Sequence, residues 1–136
     1  VYYLAGIHQN RFKSFIAHDG TFNMKSMYGT TEEMWFVNFD MGGPHWEKNN
    51  VAAQKSYTDF DPSSKVDQWT TPILIFQGAK DFRVPLGQAL EAFTAAQLRG
   101  IKSKLVVLPE ENHWVLTPQN GMVWQREFFA WLKETM

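Results

Sequence analysis

Two short segments hold the side chains of this chain best suited to moving a proton: Gln77-Gly78-Ala79-Lys80-Asp81-Phe82-Arg83-Val84-Pro85 and Pro109-Glu110-Glu111-Asn112-His113-Trp114. Asp81 lies five residues after the apolar run Ile73-Leu74-Ile75-Phe76, and His113 lies five after Leu105-Val106-Val107-Leu108. If both runs are buried parallel strands, both loops open at the same edge of one sheet, and the matched offset brings a carboxylate to an imidazole. A carboxylate there holds the imidazole in one tautomer and steadies the cation formed when it takes a proton from a nucleophile. Read alone, Asp81 is equally a turn or cap residue, or a partner for Lys80 or Arg83, and His113 a loop histidine packed by Trp114. Together and in this order they read as the acid and the base of a Ser-Asp-His triad. The nucleophile of such a triad precedes them on a G-x-S-x-G turn, and the chain contains no such motif.

Other candidates carry less. Glu110-x-x-His113 has the spacing of a carboxylate–histidine metal pair on a helix, but Pro109 and the preceding strand argue against a helix there. His8, His18 and His45 show no ligand spacing, and with no second pair the expectation is no metal and no cofactor. His18-Asp19-Gly20 also ends an apolar run, Phe15-Ile16-Ala17, and Asp19 there reads as satisfying backbone groups in a strand-to-loop turn. Phe22, Met24 and Tyr28 follow at the same sheet edge. They, with Val84 just beyond Asp81, are candidate walls of a pocket as well as candidate core.

The elements that must position these residues follow from the pattern. Pro72 to Phe76 and Lys104 to Leu108 read as parallel strands covered on both faces. Leu86, Leu90 and Phe93, with Ala89 and Ala96, form one stripe of a helix, with Pro85 near its start and Gly100 past its end. Trp124, Phe128, Trp131 and Leu132 mark the buried face of a final helix. Thr30 with Glu33 three positions on resembles a capped helix start, and Asp40-Met41-Gly42-Gly43-Pro44 a break. Asp61-Pro62-Ser63-Ser64 is a further turn. Val1-Tyr2-Tyr3-Leu4-Ala5-Gly6 reads as the tail of a helix and not as a signal peptide. Strand, helix, strand, helix with short links argues an α/β fold with a right-handed parallel sheet flanked by helices.

Composition bounds the function. The chain has 136 residues, of which 44% are hydrophobic and 20% charged, as in ordinary globular domains. Net charge of −1 gives no electrostatic case for nucleic acid or an anionic membrane. No apolar run approaches the ~18 residues of a membrane span. The absence of Cys excludes disulfides, thiolate metal sites and a cysteine nucleophile.

The residues also resemble a known family. Leu4-Ala5-Gly6, Arg11-Phe12-Lys13, His18-Asp19-Gly20, Thr31-Glu32-Glu33-Met34-Trp35-Phe36, Pro72 to Pro85, Glu111-Asn112-His113-Trp114-Val115-Leu116 and Pro118-Gln119-Asn120 are similar to the prolyl oligopeptidase family of serine peptidases. The similarity is strongest to its bacterial dipeptidyl-peptidase and acylaminoacyl-peptidase-like branch. The resemblance implies the C-terminal half of an α/β-hydrolase domain, residues 1–136 forming one partial domain. It implies Asp81 as triad acid, His113 as general base, Phe22, Met24, Tyr28 and Val84 at the substrate pocket, and a peptide substrate. The nucleophile and any β-propeller would lie upstream, so the chain alone is expected to be inactive. An esterase on the same fold and a non-catalytic assembly fragment are the alternatives. With 6 Trp and 11 Phe and an unpaired edge beside Phe15-Ile16-Ala17, the isolated chain is expected to self-associate. Light scattering should then show a mass that rises with concentration, and a constant monomer mass would contradict it.

Overall fold

The three apolar runs are strands in the computed structural model, which describes residues 1–136. β1 (Phe15–His18), β2 (Ile73–Gly78) and β3 (Ser103–Leu108) form one parallel sheet in the order β1-β2-β3. The helices are α1 (Tyr2–Ile7), α2 (Met24–Thr30), α3 (Met34–Met41), α4 (Val51–Asp59), α5 (Leu86–Leu98) and α6 (Pro118–Thr135). A 3₁₀ helix covers Pro62–Gln68. No helix is long and apolar enough to cross a membrane.

Every residue of the central strand β2 is buried, which is why it appears in the sequence as an unbroken apolar run. Successive side chains on a strand serve opposite faces. On one face Phe15, Ala17, Ile73 and Ile75 join Tyr2, Ala5, Phe22, Trp69 and the alanines of α5. On the other, Leu74 and Phe76 pack with Trp131, and Ile16, Val106, Trp124 and Phe128 complete the layer. The α6 stripe expected from its aromatic spacing is thus the stripe that meets the sheet. Its end is also tied to the entry of β1, where Trp131 Nε1 donates to Ser14 Oγ at 2.7 Å.

The face α5 presents keeps Ala89, Phe93 and Ala96 of the expected stripe but replaces Leu90 with Ala92. Ala89, Ala92 and Ala96 are fully buried and Phe93 packs at the margin, whereas Leu90 is 45% exposed. A helix that offers only methyl groups sits close to a sheet and leaves no room there for leucine. The close approach recurs at Gly6 of α1, where a Cβ would lie 2.5 Å from Lys65 Cβ on the 3₁₀ helix.

Between β1 and β2 the chain builds a second, smaller core from Met27, Tyr28, Val37, Met41, Ala53, Tyr57 and Val84, with Met24 against it. Thr30 does not cap α3 as its spacing suggested. α3 begins one turn later, the Thr31 hydroxyl accepts from Glu33 N (3.0 Å) and donates to Arg83 O (2.7 Å), and Glu33 pairs with Arg83 at 2.9 Å. The two groups that a capping box would use went elsewhere: the Thr30 hydroxyl donates back to Ser26 O of α2 (2.7 Å), and Glu33 pairs with Arg83 of the Asp81 loop. Asn23, by contrast, caps α2, accepting from Lys25 N and Ser26 N. The break at Gly42 is a left-handed residue with φ 80°, a conformation glycine adopts without strain.

One buried amide joins the two layers on this side. Gln88 Oε1 accepts from Phe22 N (2.9 Å) and Asn23 N (2.8 Å), and its Nε2 donates to Ser26 Oγ (2.8 Å). Gln88→Leu would leave two backbone donors without a partner, and we expect a loss of about 2–4 kcal/mol in denaturant unfolding. A loss under about 0.5 kcal/mol would show that this tie contributes little.

Candidate active site

Parallel pairing of β2 with β3 runs to Gly78↔Leu108, so the loops leaving these strands start side by side. They are then stitched together: Ala79 N donates to Leu108 O (3.0 Å) and Lys80 N to Glu111 O (2.9 Å). Gly78 makes this possible, because a Cβ there would stand 2.1 Å from Asn112 O and 2.6 Å from Glu111 O. The two loops deliver Asp81 and His113 to each other, with His113 Nδ1 2.8 Å from Asp81 Oδ2.

Asp81 is held from all sides. Its Oδ1 accepts from Arg83 N (3.0 Å) and Val84 N (2.8 Å), the turn expected of an Asp at this position. Its Oδ2 accepts from Gln77 Nε2 (3.2 Å) as well as facing His113, while Gln77 Nε2 also donates to Val84 O (2.8 Å). The carboxylate is fully buried and the His113 side chain is 27% exposed. One end of the pair therefore sits in a low-dielectric, fully hydrogen-bonded setting and the other opens toward solvent. An imidazole whose Nδ1–H is committed to a carboxylate keeps its Nε2 as a free base, which is the arrangement needed for general base chemistry.

The His113 loop has its own anchor in Glu111. Its carboxylate accepts from Leu116 N (2.9 Å), Thr117 N (3.1 Å) and Asn120 Nδ2 (2.6 Å). Hydrogen bonding, from the Thr117 side chain first, then from Asn120 and the Leu116 N–H, holds its pKa down at about 2, against an ordinary 4.5. Glu110 points elsewhere and pairs with Lys80, so it does not join His113 in a donor set. The set that proximity does create is Asp19, Asp81 and His113, whose donor atoms lie within 4.8 Å of one another. A cation there would need the same Nδ1 and Oδ2 atoms that face each other in the Asp81–His113 contact.

The four residues expected at a substrate pocket do not gather at one place. Phe22 lies in the main core, edge-on to Tyr2 and Trp69. Met24, Tyr28 and Val84 share the smaller core, where Tyr28 donates its hydroxyl to Asn38 Oδ1 (3.0 Å). The cavity beside His113, about 370 Å³, is lined by Glu32, Lys80, Phe82, Arg83, Glu110 and Trp114 together with Asp81, Asn112 and His113. Arg83 lies over the Trp114 ring at 5.0 Å. Sequence reasoning overlooked Gln77, Gly78 and Glu111. Of these only Gly78, a glycine closing an apolar strand, carried a signal of close backbone approach.

A carboxylate whose pKa is depressed on folding adds stability that is complete above its unfolded pKa and is lost as pH falls through the folded value. The stability difference between the native chain and Glu111→Gln should hold steady above pH ~4.5 and shrink between about 4.5 and 2. Urea unfolding of both proteins across that range checks this, and a difference independent of pH would refute it.

The sequence profile of the prolyl oligopeptidase family matches residues 1–136. Dipeptidyl-peptidase 5 of Porphyromonas gingivalis is 55% identical over 132 residues, which cover 97% of this chain and 19% of that protein. Dipeptidyl-peptidase 5 of Schizosaccharomyces pombe is 36% identical over 122 residues, covering 90% of this chain and 17% of that protein. The chain thus spans about a fifth of the length of these curated relatives. Among solved structures, acylaminoacyl peptidase of Pyrococcus horikoshii superposes with a TM-score of 0.81 at 17% identity, covering 98% of this chain and 22% of that one. A puromycin-hydrolyzing peptidase of Mycobacterium tuberculosis gives 0.62 at 19% identity, covering 76% and 15%. The three parallel strands and their flanking helices are the C-terminal part of an α/β-hydrolase fold, and the chain belongs to the prolyl oligopeptidase family.

Proposed function

We propose that the protein carrying this chain is a serine peptidase of the dipeptidyl- or acylaminoacyl-peptidase type, with Asp81 and His113 as the acid and base of its triad. The observation that carries the reading is the 2.8 Å contact between His113 Nδ1 and a fully buried Asp81 carboxylate at the C-terminal edge of a parallel sheet. Likeness to dipeptidyl-peptidase 5 at 55% identity supports the peptide substrate.

In this reading a serine hydroxyl gives its proton to His113 Nε2 as its oxygen bonds to the scissile carbonyl carbon. Asp81 accepts the Nδ1–H throughout and balances the imidazolium without itself becoming protonated. His113 then returns the proton to the departing amine as the C–N bond breaks, leaving an acyl-enzyme. A water molecule, deprotonated by the same Nε2, releases the acid and restores the serine.

In this reading the serine comes from elsewhere in the protein, since none of this chain's six serines sits on a G-x-S-x-G turn. Ser14 Oγ is engaged by Trp131 Nε1 (2.7 Å) and Thr135 Oγ1 (2.9 Å). Ser26 Oγ bonds to Glu91 (2.8 Å) and Gln88 (2.8 Å). The isolated chain should therefore leave a fluorophosphonate probe unreacted, and a covalent label on any of its serines would contradict the reading. The full-length protein should hydrolyse dipeptidyl chromogenic amides, and His113→Ala should lower kcat/KM by on the order of 10⁴ or more. Retained turnover in that variant would overturn the assignment of the base.

A further inference from the structure

Asp81 is not the only carboxylate facing His113. β1 and β2 are adjacent and parallel, with His18 in register with Phe76, so the residue immediately after β1 opens at the same edge as the Asp81 loop. That residue is Asp19, and its Oδ2 lies 4.0 Å from His113 Nδ1, the same atom that Asp81 Oδ2 approaches to 2.8 Å. A turn-forming role accounts for only part of it. Its backbone N–H donates to Phe76 O (3.2 Å) and its Oδ1 accepts from Gly78 N (3.4 Å). Oδ2 is surplus to that role. The side chain is only 4% exposed, yet Oδ2 accepts no directed hydrogen bond, although His18 Nε2 stands 3.0 Å from it. Buried between the imidazoles of His18 and His113, Oδ2 is the nearest carboxylate oxygen to His113 Nδ1 after Asp81 Oδ2. The backbone holds Asp19 at φ 48°, a left-handed conformation that Asp and Asn adopt more readily than other residues except glycine.

We propose that Asp19 is a second acid position for His113: a positioning residue whose carboxylate backs Asp81 and takes over the imidazole when Asp81 is lost. The proposal rests on the triad reading above. The move it requires is small, about 1 Å of imidazole displacement to bring Nδ1 into hydrogen-bond range of Asp19 Oδ2. The topology makes the substitution geometrically natural, because β1 and β2 each end at the imidazole and each offers one carboxylate. The charged and titratable groups around the pair are few. His18 and Tyr2 face Asp19, the latter close enough for the carboxylate charge to add to burial in raising the phenol. Lys80, Arg83, Glu32 and Glu110 line the open side of His113.

The test uses the full-length protein with a dipeptidyl chromogenic amide and four variants: Asp19→Asn, Asp81→Asn, the double variant and His113→Ala. Asn is the substitution of choice at position 19 because it tolerates φ 48° and can still accept from Gly78 N. A triad with a single carboxylate loses about 10⁴ in kcat when that acid becomes an amide. With Asp19 in place, Asp81→Asn should lose only about 10², and the double variant should fall the remaining hundredfold to the 10⁴ level. Asp19→Asn alone should cost about tenfold or less and move the acid limb of the kcat/KM profile to lower pH, because the imidazolium loses a neighbouring anion. A purely structural role would lower the amplitude and leave the limb in place. If Asp81→Asn already sits at the 10⁴ floor, Asp19→Asn changes nothing further and the limb does not move, the proposal is overturned while the triad stands. If His113→Ala retains turnover, the triad reading itself fails and the proposal with it.

Discussion

The steric fact on which the site depends is the contact of two backbones at Gly78. Parallel strands place their ends side by side but do not oblige the following loops to touch. Here they touch because a strand residue without a side chain lets Glu111 and Asn112 carbonyls come within the space a Cβ would fill. Hydrogen bonds from Ala79 and Lys80 then lock the loops in register. The meeting of Asp81 with His113 is a consequence of that lock. Neither side chain reaches far, and each is delivered by its backbone.

Support for the pair spreads outward from there along hydrogen bonds. Gln77 and the amides of Arg83 and Val84 fix the carboxylate. Thr31 and Glu33 tie the connection between α2 and α3 to the backbone and guanidinium of Arg83, so the smaller core leans on the acid loop. Gln88 joins the segment after β1 to α5. Each tie satisfies backbone or side-chain groups that would otherwise be stranded under the loops.

What the sequence discloses about this arrangement and what it conceals divide along physical lines. β2, buried on both faces, announces itself as an apolar run. β3, expected to be covered as fully, reads the same way although Lys104 is exposed and most of its residues are only half-buried, because it lies at the sheet edge. The equal offsets to Asp81 and His113 follow from the strand ends. The aromatic face of α6 is legible for the same reason: large side chains at helical spacing. The alanine face of α5 is only partly legible: Ala89 and Ala96 fell in the expected stripe, but Ala92 carries little hydrophobic signal and Leu90 was counted in although it is exposed. Thr30 was misleading because a capping pattern says nothing about competing partners, and Glu33 found Arg83 across the fold. Asp19 stood in plain view as a turn residue. Its second oxygen acquires meaning only when β1 and β2 are seen side by side. Gln77 and Glu111 act through contacts only four to nine residues ahead, but these are made inside irregular loops, where no helix or strand period marks them.

The tether at Glu111 has a mechanical meaning. One carboxylate grips the backbone on the far side of the His113 loop and the first turn of α6 at once, through Leu116, Thr117 and Asn120. The other end of α6 is pinned near the entry of β1 by Trp131 and Ser14. The imidazole is thereby mounted on a strut that crosses one whole face of the sheet, and loop and helix behave as a single body. Small openings that expose the His113 loop must carry α6 with them, along with the aromatic layer of Trp124, Phe128 and Trp131 that it lays on Leu74 and Phe76. The base sits in a loop, yet the far side of that loop is tied to the start of the helix.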